Sequence, residues 1–160
     1  MRTHFSIFLL LFFMVIIPGT ILTKEPYFLT IEELNSFGFS SYESINPNLL
    51  IYPLKRVFEQ TKLSLTFDKK RGYIYELYDK RYKELVFIIN SNKEGFIPYS
   101  GDRYNSFVGN LKQNYPPNKE EVEQIKTYLR LLERLRDIFP ANSANWEKIQ
   151  QSIDTTRSLI

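Results

Sequence analysis

Hydrophobic and polar positions divide the chain into helical ends and a strand-like middle. Near residue 30 the sequence predicts a short helix, because Thr30 and Glu33 have the spacing of a capping box. Gly38 follows at the distance where a left-handed residue commonly ends a helix. The polar stretch 40–48 contains a proline and predicts a loop.

Residues 49–62, LLIYPLKRVFEQTK, fit two structures. A helix beginning at Pro53 would place Leu54, Val57 and Phe58 on one face. Proline is acceptable at a first helical position. The first four residues of this stretch could instead form a separate strand, but we favour the helix.

Between residues 63 and 99 the hydrophobic positions change to a period of two. Residues 63–67 alternate, and the stretches YIYELYD (73–79) and ELVFIIN (84–90) predict a second and a third strand. Residues 96–99 could add a short edge strand. The intervening segments have the lengths of hairpin loops. This part of the sequence therefore predicts an antiparallel meander.

The carboxyl-terminal third returns to a helical period. Residues 102–114 have helical spacing, and Asn118 with Glu121 makes a cap-like pair for the clearest helix of the chain. Asn142 or Ser143 would cap a final helix, and the last two helices should pair as an antiparallel hairpin. The apolar stripe of the clearest helix consists of Val122, Ile125, Leu129, Leu132, Leu135 and Phe139.

Together these elements predict an α+β fold. It would be an antiparallel three- to four-stranded meander packed on helices, with a C-terminal antiparallel helical hairpin. We expect residues 24–160 to form a single domain, which is long enough to bury a core of its own.

The first 23 residues have the character of an export signal. Arg2 precedes the uncharged run FSIFLLLFFMVII at 5–17, and a proline–glycine pair follows it. The usual cleavage rule is poorly met, because Ile17 stands three positions before a cut after Gly19. An uncleaved membrane anchor is therefore the alternative, and Arg2 would keep its amino end in the cytoplasm. Either reading predicts an exported domain, periplasmic or extracellular.

Composition removes most catalytic chemistry from the predicted domain. The chain has no cysteine, and its one histidine, His4, falls in the leader. Nucleophilic triads, thiol chemistry and histidine or cysteine zinc sites are thereby excluded from residues 24–160. We expect no cofactor and no metal, and the acidic residues at 120–123 only complement a helix dipole. Of the 21 lysines and arginines one lies in the leader, so the predicted domain has 20 basic and 18 acidic residues and a net charge near +2. So small a net charge creates no long-range electrostatic field that would attract nucleic acid.

A carboxylate pair is the one catalytic arrangement that the composition allows. Glu76 and Asp79 are the candidates, because glycoside hydrolysis needs one protonated and one ionised carboxyl group. The same residues fit solvated strand positions beside Lys80 and Arg81. We favour the second interpretation and expect that the protein is not an enzyme.

Tyrosines interleaved with basic residues form the candidate binding surface. Tyrosine and arginine commonly anchor interfaces, because they bring a large contact area at low entropic cost. On a strand Tyr73 and Tyr75 would share one face. The polar stretch 98–104 is a second candidate, as a loop between aromatic residues. The surface consists of Arg71, Tyr73, Tyr75, Tyr78, Arg81, Tyr82, Arg103 and Tyr104.

These observations favour a non-enzymatic exported binding protein of the cell envelope. Its partner would be a protein, which it blocks as inhibitor and immunity proteins do, and a glycan is a second candidate ligand. The first alternative keeps the leader as an anchor, so that the chain is a single-pass envelope assembly component that meets the membrane only through its N-terminal segment. The second is the carboxylate-dependent glycan enzyme.

Overall fold

The computed structural model describes residues 28–43, 45–66 and 70–160, and this part of the chain is all helical. The predicted α+β fold is therefore wrong, since no strand occurs in these ranges. The elements are α1 (Ile31–Ser36), α2 (Tyr52–Leu65), α3 (Lys70–Asn90), a 3-10 turn (Glu94–Phe96), α4 (Ile97–Asn114), α5 (Lys119–Arg136) and α6 (Ala144–Arg157).

The largest correction concerns α3, which replaces two predicted strands and the turn between them. Of its 21 residues, 12 are buried, so it is covered on most of its circumference. A helix buried in this way shows no single apolar stripe, and the helical period disappears from its sequence. Its tyrosines and isoleucines have high β propensity, which tertiary packing overrides here.

The other predicted strands are also helical where they are described. Leu63 and Leu65 lie at the end of α2, and residues 96–99 span the 3-10 turn and the start of α4. The predicted loop 98–104 forms the first two turns of α4, with Pro98 at its amino end. Phe67 lies outside the described residues.

Four helices form the body of the molecule. α3 packs against α4 and α5, and α6 packs against both α4 and α5, which closes a four-helix arrangement. Each large apolar side chain buried there contributes about 1.5–3 kcal/mol, and this burial holds the bundle together. Its most completely buried side chains include Tyr78, Tyr82, Leu85, Tyr104, Leu111, Ile125, Leu131 and Leu132.

The helix ends follow the predicted capping signals. The Thr30 hydroxyl accepts from the Glu33 amide at 3.2 Å, and Glu33 Oε2 accepts from the Thr30 amide at 2.7 Å. Asn118 and Glu121 make the same reciprocal pair at 2.9 and 2.7 Å. Ser143 caps α6. These predictions are confirmed, because cap pairs depend only on local spacing.

Asn90 ties the segment before α1 to the end of α3. Its buried side chain accepts from the Leu29 amide at 2.7 Å and donates to the Leu29 carbonyl at 3.0 Å. The Asn90 carbonyl accepts from the Phe28 amide at 3.0 Å. Gly38 then ends α1 with a φ of +72°, as the sequence predicts.

α2 differs from the other long helices in the face that it turns toward the bundle. Its two buried residues are Tyr52 and Glu59, whereas Leu54, Val57 and Phe58 are exposed. The predicted helix is confirmed, but it packs on the bundle with its polar face.

Among the residues of the described ranges no helix is long and apolar enough to cross a membrane. The predicted leader, 1–23, lies outside those ranges.

Candidate functional site

A cluster of charged side chains lies buried between α2 and the bundle. Lys55 and Glu59 come from α2, Arg81 and Glu84 from α3, and Arg103 from α4. The Arg81 and Glu84 side chains are only 2% and 3% exposed. Buried charges persist in a protein only when they are paired, so the contacts within this cluster decide how α2 is held.

Glu84 joins three helices through its two carboxylate oxygens. Oε1 accepts from Lys55 Nζ at 2.7 Å and from Arg81 Nη1 at 2.6 Å. Oε2 accepts from the Tyr52 hydroxyl at 2.9 Å and from Arg103 Nη2 at 3.2 Å. Loss of this one carboxylate would leave three cations without their shared partner.

Glu59 is the second buried acid, and it reaches from α2 to α3. Its Oε2 accepts from Arg81 Nη2 in a short contact and from Arg56 Nη1 at 2.8 Å. Lys55 Nζ lies 3.9 Å from Glu59 Oε1 and 3.0 Å from Glu43 Oε1. Four cations therefore face three carboxylates among the described residues, so this set carries a net charge of +1. The members of this charged cluster are Lys55, Arg56, Arg81, Arg103, Glu43, Glu59 and Glu84.

Burial shifts the ionisation of the charged cluster. Desolvation raises the pKa of Glu59 and of Glu84, and nearby Lys55 opposes the shift in both cases. Desolvation also lowers the pKa of Arg103 to about 10. Arg103 thus stays charged at neutral pH, although little water reaches it to solvate that charge.

An open cavity of about 530 Å³, which we call the α2 groove, lies where α2, the loop before it and α3 meet. Ile45, Ile51, Leu54, Phe58 and Tyr73 give it mostly apolar walls. An apolar cavity with a few converging charged groups is the usual form of a binding site. The charged groups at this groove are Lys55, Lys62, Lys80, Glu43 and Glu59.

A second cavity, of about 430 Å³, lies between α2, α3 and α4, and we call it the arginine cavity. It shares Arg56, Arg81 and Arg103 with the charged cluster and differs from the α2 groove in being lined by these three guanidinium groups. Its principal lining residues are Arg56, Arg81, Arg103, Tyr99, Phe107 and Asn110.

Three tyrosines of the predicted binding surface lie in the bundle core. The hydroxyls of Tyr78 and Tyr104 are 3.2 Å apart, and that of Tyr104 is 2.7 Å from Thr156 Oγ1. Tyr82 stacks on Tyr128 with ring centroids 3.7 Å apart. Burial raises the pKa of Tyr104 to about 12. These three side chains present no surface to a partner.

The other five predicted residues fall into two groups. Arg71 pairs with Glu121 at 2.5 Å, and its guanidinium lies 5.1 Å from the Tyr75 ring, away from the charged cluster. Burial raises the pKa of Tyr75 to about 12. A binding role for this group stays a prediction. The remaining three meet around α2: Tyr73, Arg81 and Arg103.

The two carboxylates considered for catalysis lie one turn apart on α3. Glu76 pairs with Lys80 at 2.7 Å, and Asp79 pairs with Lys83 at 2.7 Å and accepts from the Tyr128 hydroxyl at 2.5 Å. The hydrogen bond from Lys80 lowers the pKa of Glu76. A general acid in glycoside hydrolysis needs the opposite shift, so this environment does not favour that role.

Sequence reasoning missed three central members of the charged cluster: Lys55, Glu59 and Glu84. A local signal existed, because Lys55 and Glu59 are four residues apart, as ion-paired residues on one helix face often are. The contact of Lys55 with Glu84 spans 29 residues and depends on how α2 sits on α3. Such a pairing has no local signature.

The chain matches no known protein family, no curated protein and no solved structure. In the part of the chain that the structure describes, no group of three or more histidine, cysteine or acidic residues is placed to hold a metal ion. The functional assignment therefore rests on the geometry around α2.

Proposed function

We propose that this chain is a non-enzymatic exported binding protein of the cell envelope that captures a protein partner on α2. The narrower form of the proposal is an inhibitor or immunity-type protein that blocks this partner. The outward-facing apolar stripe of α2 is the observation that carries the proposal.

Exposed apolar side chains are concentrated on α2 and the residues just before it. Of the 12 large hydrophobic residues that are exposed in the described ranges, seven lie between residues 49 and 65. Phe58, at the centre of the stripe, is 68% exposed. A contiguous exposed apolar patch marks an interaction site more often than scattered single residues do. The stripe consists of Leu50, Ile51, Leu54, Val57, Phe58 and Leu65.

The shape and charge of this region favour a helical segment of a partner protein. From Leu54 to Leu65 the stripe is about 17 Å long at the rise of an α-helix, which matches about three turns of a partner helix. The α2 groove beside it carries three lysines and two glutamates. An amphipathic helix with apolar anchors and flanking acidic residues would complement both features.

The charged cluster supports the proposal by fixing the inner face of α2. Tyr52, Lys55 and Glu59 are all engaged with α3. The apolar stripe is therefore already presented before a partner arrives. A preorganised surface loses less entropy on binding, which favours a specific complex over a loose one.

Site-specific photo-crosslinking in the native envelope tests the proposal. A photoreactive phenylalanine derivative would replace Phe58 in the full-length chain, and a matched sample would carry it in place of Ile31 on α1. Ile31 is a suitable control, because it is 67% exposed and lies away from the stripe. We expect a single protein adduct from position 58 and none from position 31.

Two substitutions make the result specific. Leu54→Asp should abolish the adduct at position 58 without lowering the melting temperature, because Leu54 is exposed and makes no core contact. Ile31→Asp should leave the adduct unchanged. Equal adducts at both positions, or an adduct insensitive to Leu54→Asp, would contradict the proposal.

A membrane-anchored assembly component is the second candidate. The exposed Lys62 lies at the groove beside the apolar stripe, and basic residues beside an apolar helix face also occur in helices that lie on a bilayer surface. Under this alternative, position 58 would crosslink to lipid. The chain in the membrane fraction would also retain the mass of the leader.

A further inference from the structure

The arginine cavity contains hydrogen-bond donors that have no acceptor among the described residues, and it carries positive charge that the described carboxylates do not balance. We propose that it binds a carboxylate group carried on an apolar carbon skeleton. This inference goes beyond the docking of a partner on α2 and stands without it.

Two guanidinium nitrogens at this cavity have no hydrogen-bond partner among the described residues: Arg81 Nε and Arg103 Nη1. Arg81 is 2% exposed, so its unpaired nitrogen cannot turn to bulk water. Buried donors are nearly always paired in proteins, and each unpaired one costs about 1–3 kcal/mol. Two at one cavity indicate a site that a ligand completes.

The charge balance points to an anion. The charged cluster has one more cation than carboxylates, and three of its four cations line this cavity. Among the described residues that line this cavity Asp102 is the one acid, and Lys148 already pairs with it at 2.7 Å. The local excess of one positive charge is therefore left for a ligand to balance.

The size of that excess and the walls of the cavity select a carboxylate. A carboxylate carries one negative charge, whereas a phosphate group carries about 1.5–2 at neutral pH. The planar fork of a guanidinium matches the two oxygens of a carboxylate. Phe107 and Tyr99 supply apolar surface for the attached carbon skeleton.

Tyr99 lies beside Arg103 in the wall of this cavity. The residue is 55% exposed, and its ring lies 5.4 Å from the Arg103 guanidinium. The Tyr52 ring lies 4.6 Å from the same guanidinium. Arg56 is the most exposed of the three arginines, with 32% of its side chain exposed, so an entering carboxylate would contact it first.

Titration with benzoate, followed by amide NMR at constant ionic strength, tests the proposal. Benzoate carries the carboxylate and an apolar ring, and benzamide is its uncharged counterpart of the same shape. We expect saturable shifts for amides of α2 and α4 with benzoate, and none with benzamide. Shifts that are equal for both compounds would overturn the proposal, as would stronger binding of inorganic phosphate or no saturable shift with any probe.

Arg56→Gln is the variant of choice, because Arg56 lies at the edge of the cavity and Arg81 is too deeply buried to replace without damage to the fold. Loss of one charged donor should weaken benzoate binding about tenfold or more. Arg130→Gln, at an exposed position of α5, should leave it unchanged. Equal affinities for the two variants would overturn the assignment to this cavity.

The carboxylate could belong to a free small molecule or to an acidic side chain of the partner. Benzoate added during crosslinking at position 58 distinguishes these sources. Weaker crosslinking supports a carboxylate delivered by the partner, and unchanged crosslinking supports a free ligand. If no partner is found, saturable benzoate binding still supports the site, so the two proposals fail independently.

Discussion

α2 and α5 are both amphipathic helices, but they turn opposite faces toward the bundle. α5 buries Ile125, Leu129, Leu132 and Leu135, whereas α2 buries Tyr52 and Glu59 and exposes Leu54 and Leu65. The difference lies in what α3 offers beneath each helix. Under α2 it presents Arg81 and Glu84, which only polar groups can satisfy. An amphipathic pattern thus defines two faces of a helix but does not say which of them is buried.

The two helices are also held by different forces. Burial of apolar side chains stabilises α5 directly, at about 1.5–3 kcal/mol for each. Buried ion pairs such as those under α2 contribute little over an apolar contact of the same volume, although breaking them is costly. Loss of a single charge beneath α2 should therefore lower the stability of the protein markedly. Substitutions on the exposed face of α2 should change the stability little.

Glu84→Gln should have the largest effect on this comparison. The substitution keeps the volume but removes the charge shared by Lys55, Arg81 and Arg103. We expect a loss of about 3–5 kcal/mol, measured by urea unfolding, because three buried cations lose the carboxylate that they share. Glu120→Gln, at an exposed position of α5, should change stability by less than about 0.5 kcal/mol. Similar values for both variants would show that the charged cluster does not hold α2.

A leucine-to-alanine pair compares the two helices directly. Leu132→Ala on α5 should cost about 2–5 kcal/mol, because Leu132 is completely buried and its loss leaves a cavity. Leu54→Ala on α2 should lie within about 0.5 kcal/mol of the parent, because Leu54 already faces solvent. Thermal and urea unfolding give both values. A large cost for Leu54→Ala would mean that the apolar stripe is buried in the free protein.

Alkaline pH should act on the bundle through its tyrosines. Burial raises the pKa of Tyr104 to about 12, whereas a free tyrosine titrates near pH ~10. Because the folded pKa is the higher one, the contribution of this group is complete below pH ~10 and is lost as the pH rises toward ~12. Tyr104→Phe should reduce the decline of the unfolding free energy by about 1.4 kcal/mol per pH unit.

The measurement compares the variant with the parent by urea unfolding at each pH. Arg103 titrates in the same range with the opposite sign, because burial lowers its pKa to about 10, and the paired comparison cancels its contribution. An identical pH dependence for both proteins would show that Tyr104 ionises freely in the folded state.

The sequence predicted those parts of the fold that depend on local spacing. The caps at Thr30 and Asn118 and the stripe on α5 are examples, since each is set by residues within a few turns. α3 could not be recognised by its period, because it is buried on most of its circumference and its buried positions include Arg81, Glu84 and Asn90. A weaker signal was present in the pairs Glu76–Lys80 and Asp79–Lys83, four residues apart, as helical ion pairs are.

The candidate site was predictable only in part. Arg81 and Arg103 were singled out as basic residues among aromatics, but as members of an exposed surface. Their burial follows from the packing of α2 on α3 and α4, which brings Glu59 and Glu84 to them from distant positions. The same long-range contacts explain why α2 buries its polar face and exposes its apolar face. The sequence of α2 alone does not show which face is buried.

Because α2 is attached to the bundle by its polar face, attachment and recognition are carried out by different residues of the same helix. Tyr52, Lys55 and Glu59 attach the helix, and Leu54, Val57 and Phe58 face outward. Mutations that diversify the outer residues during evolution would leave the attachment intact. Descendants of this chain could thus acquire new recognition specificity through a few substitutions on one helix while the rest of the fold stays constant.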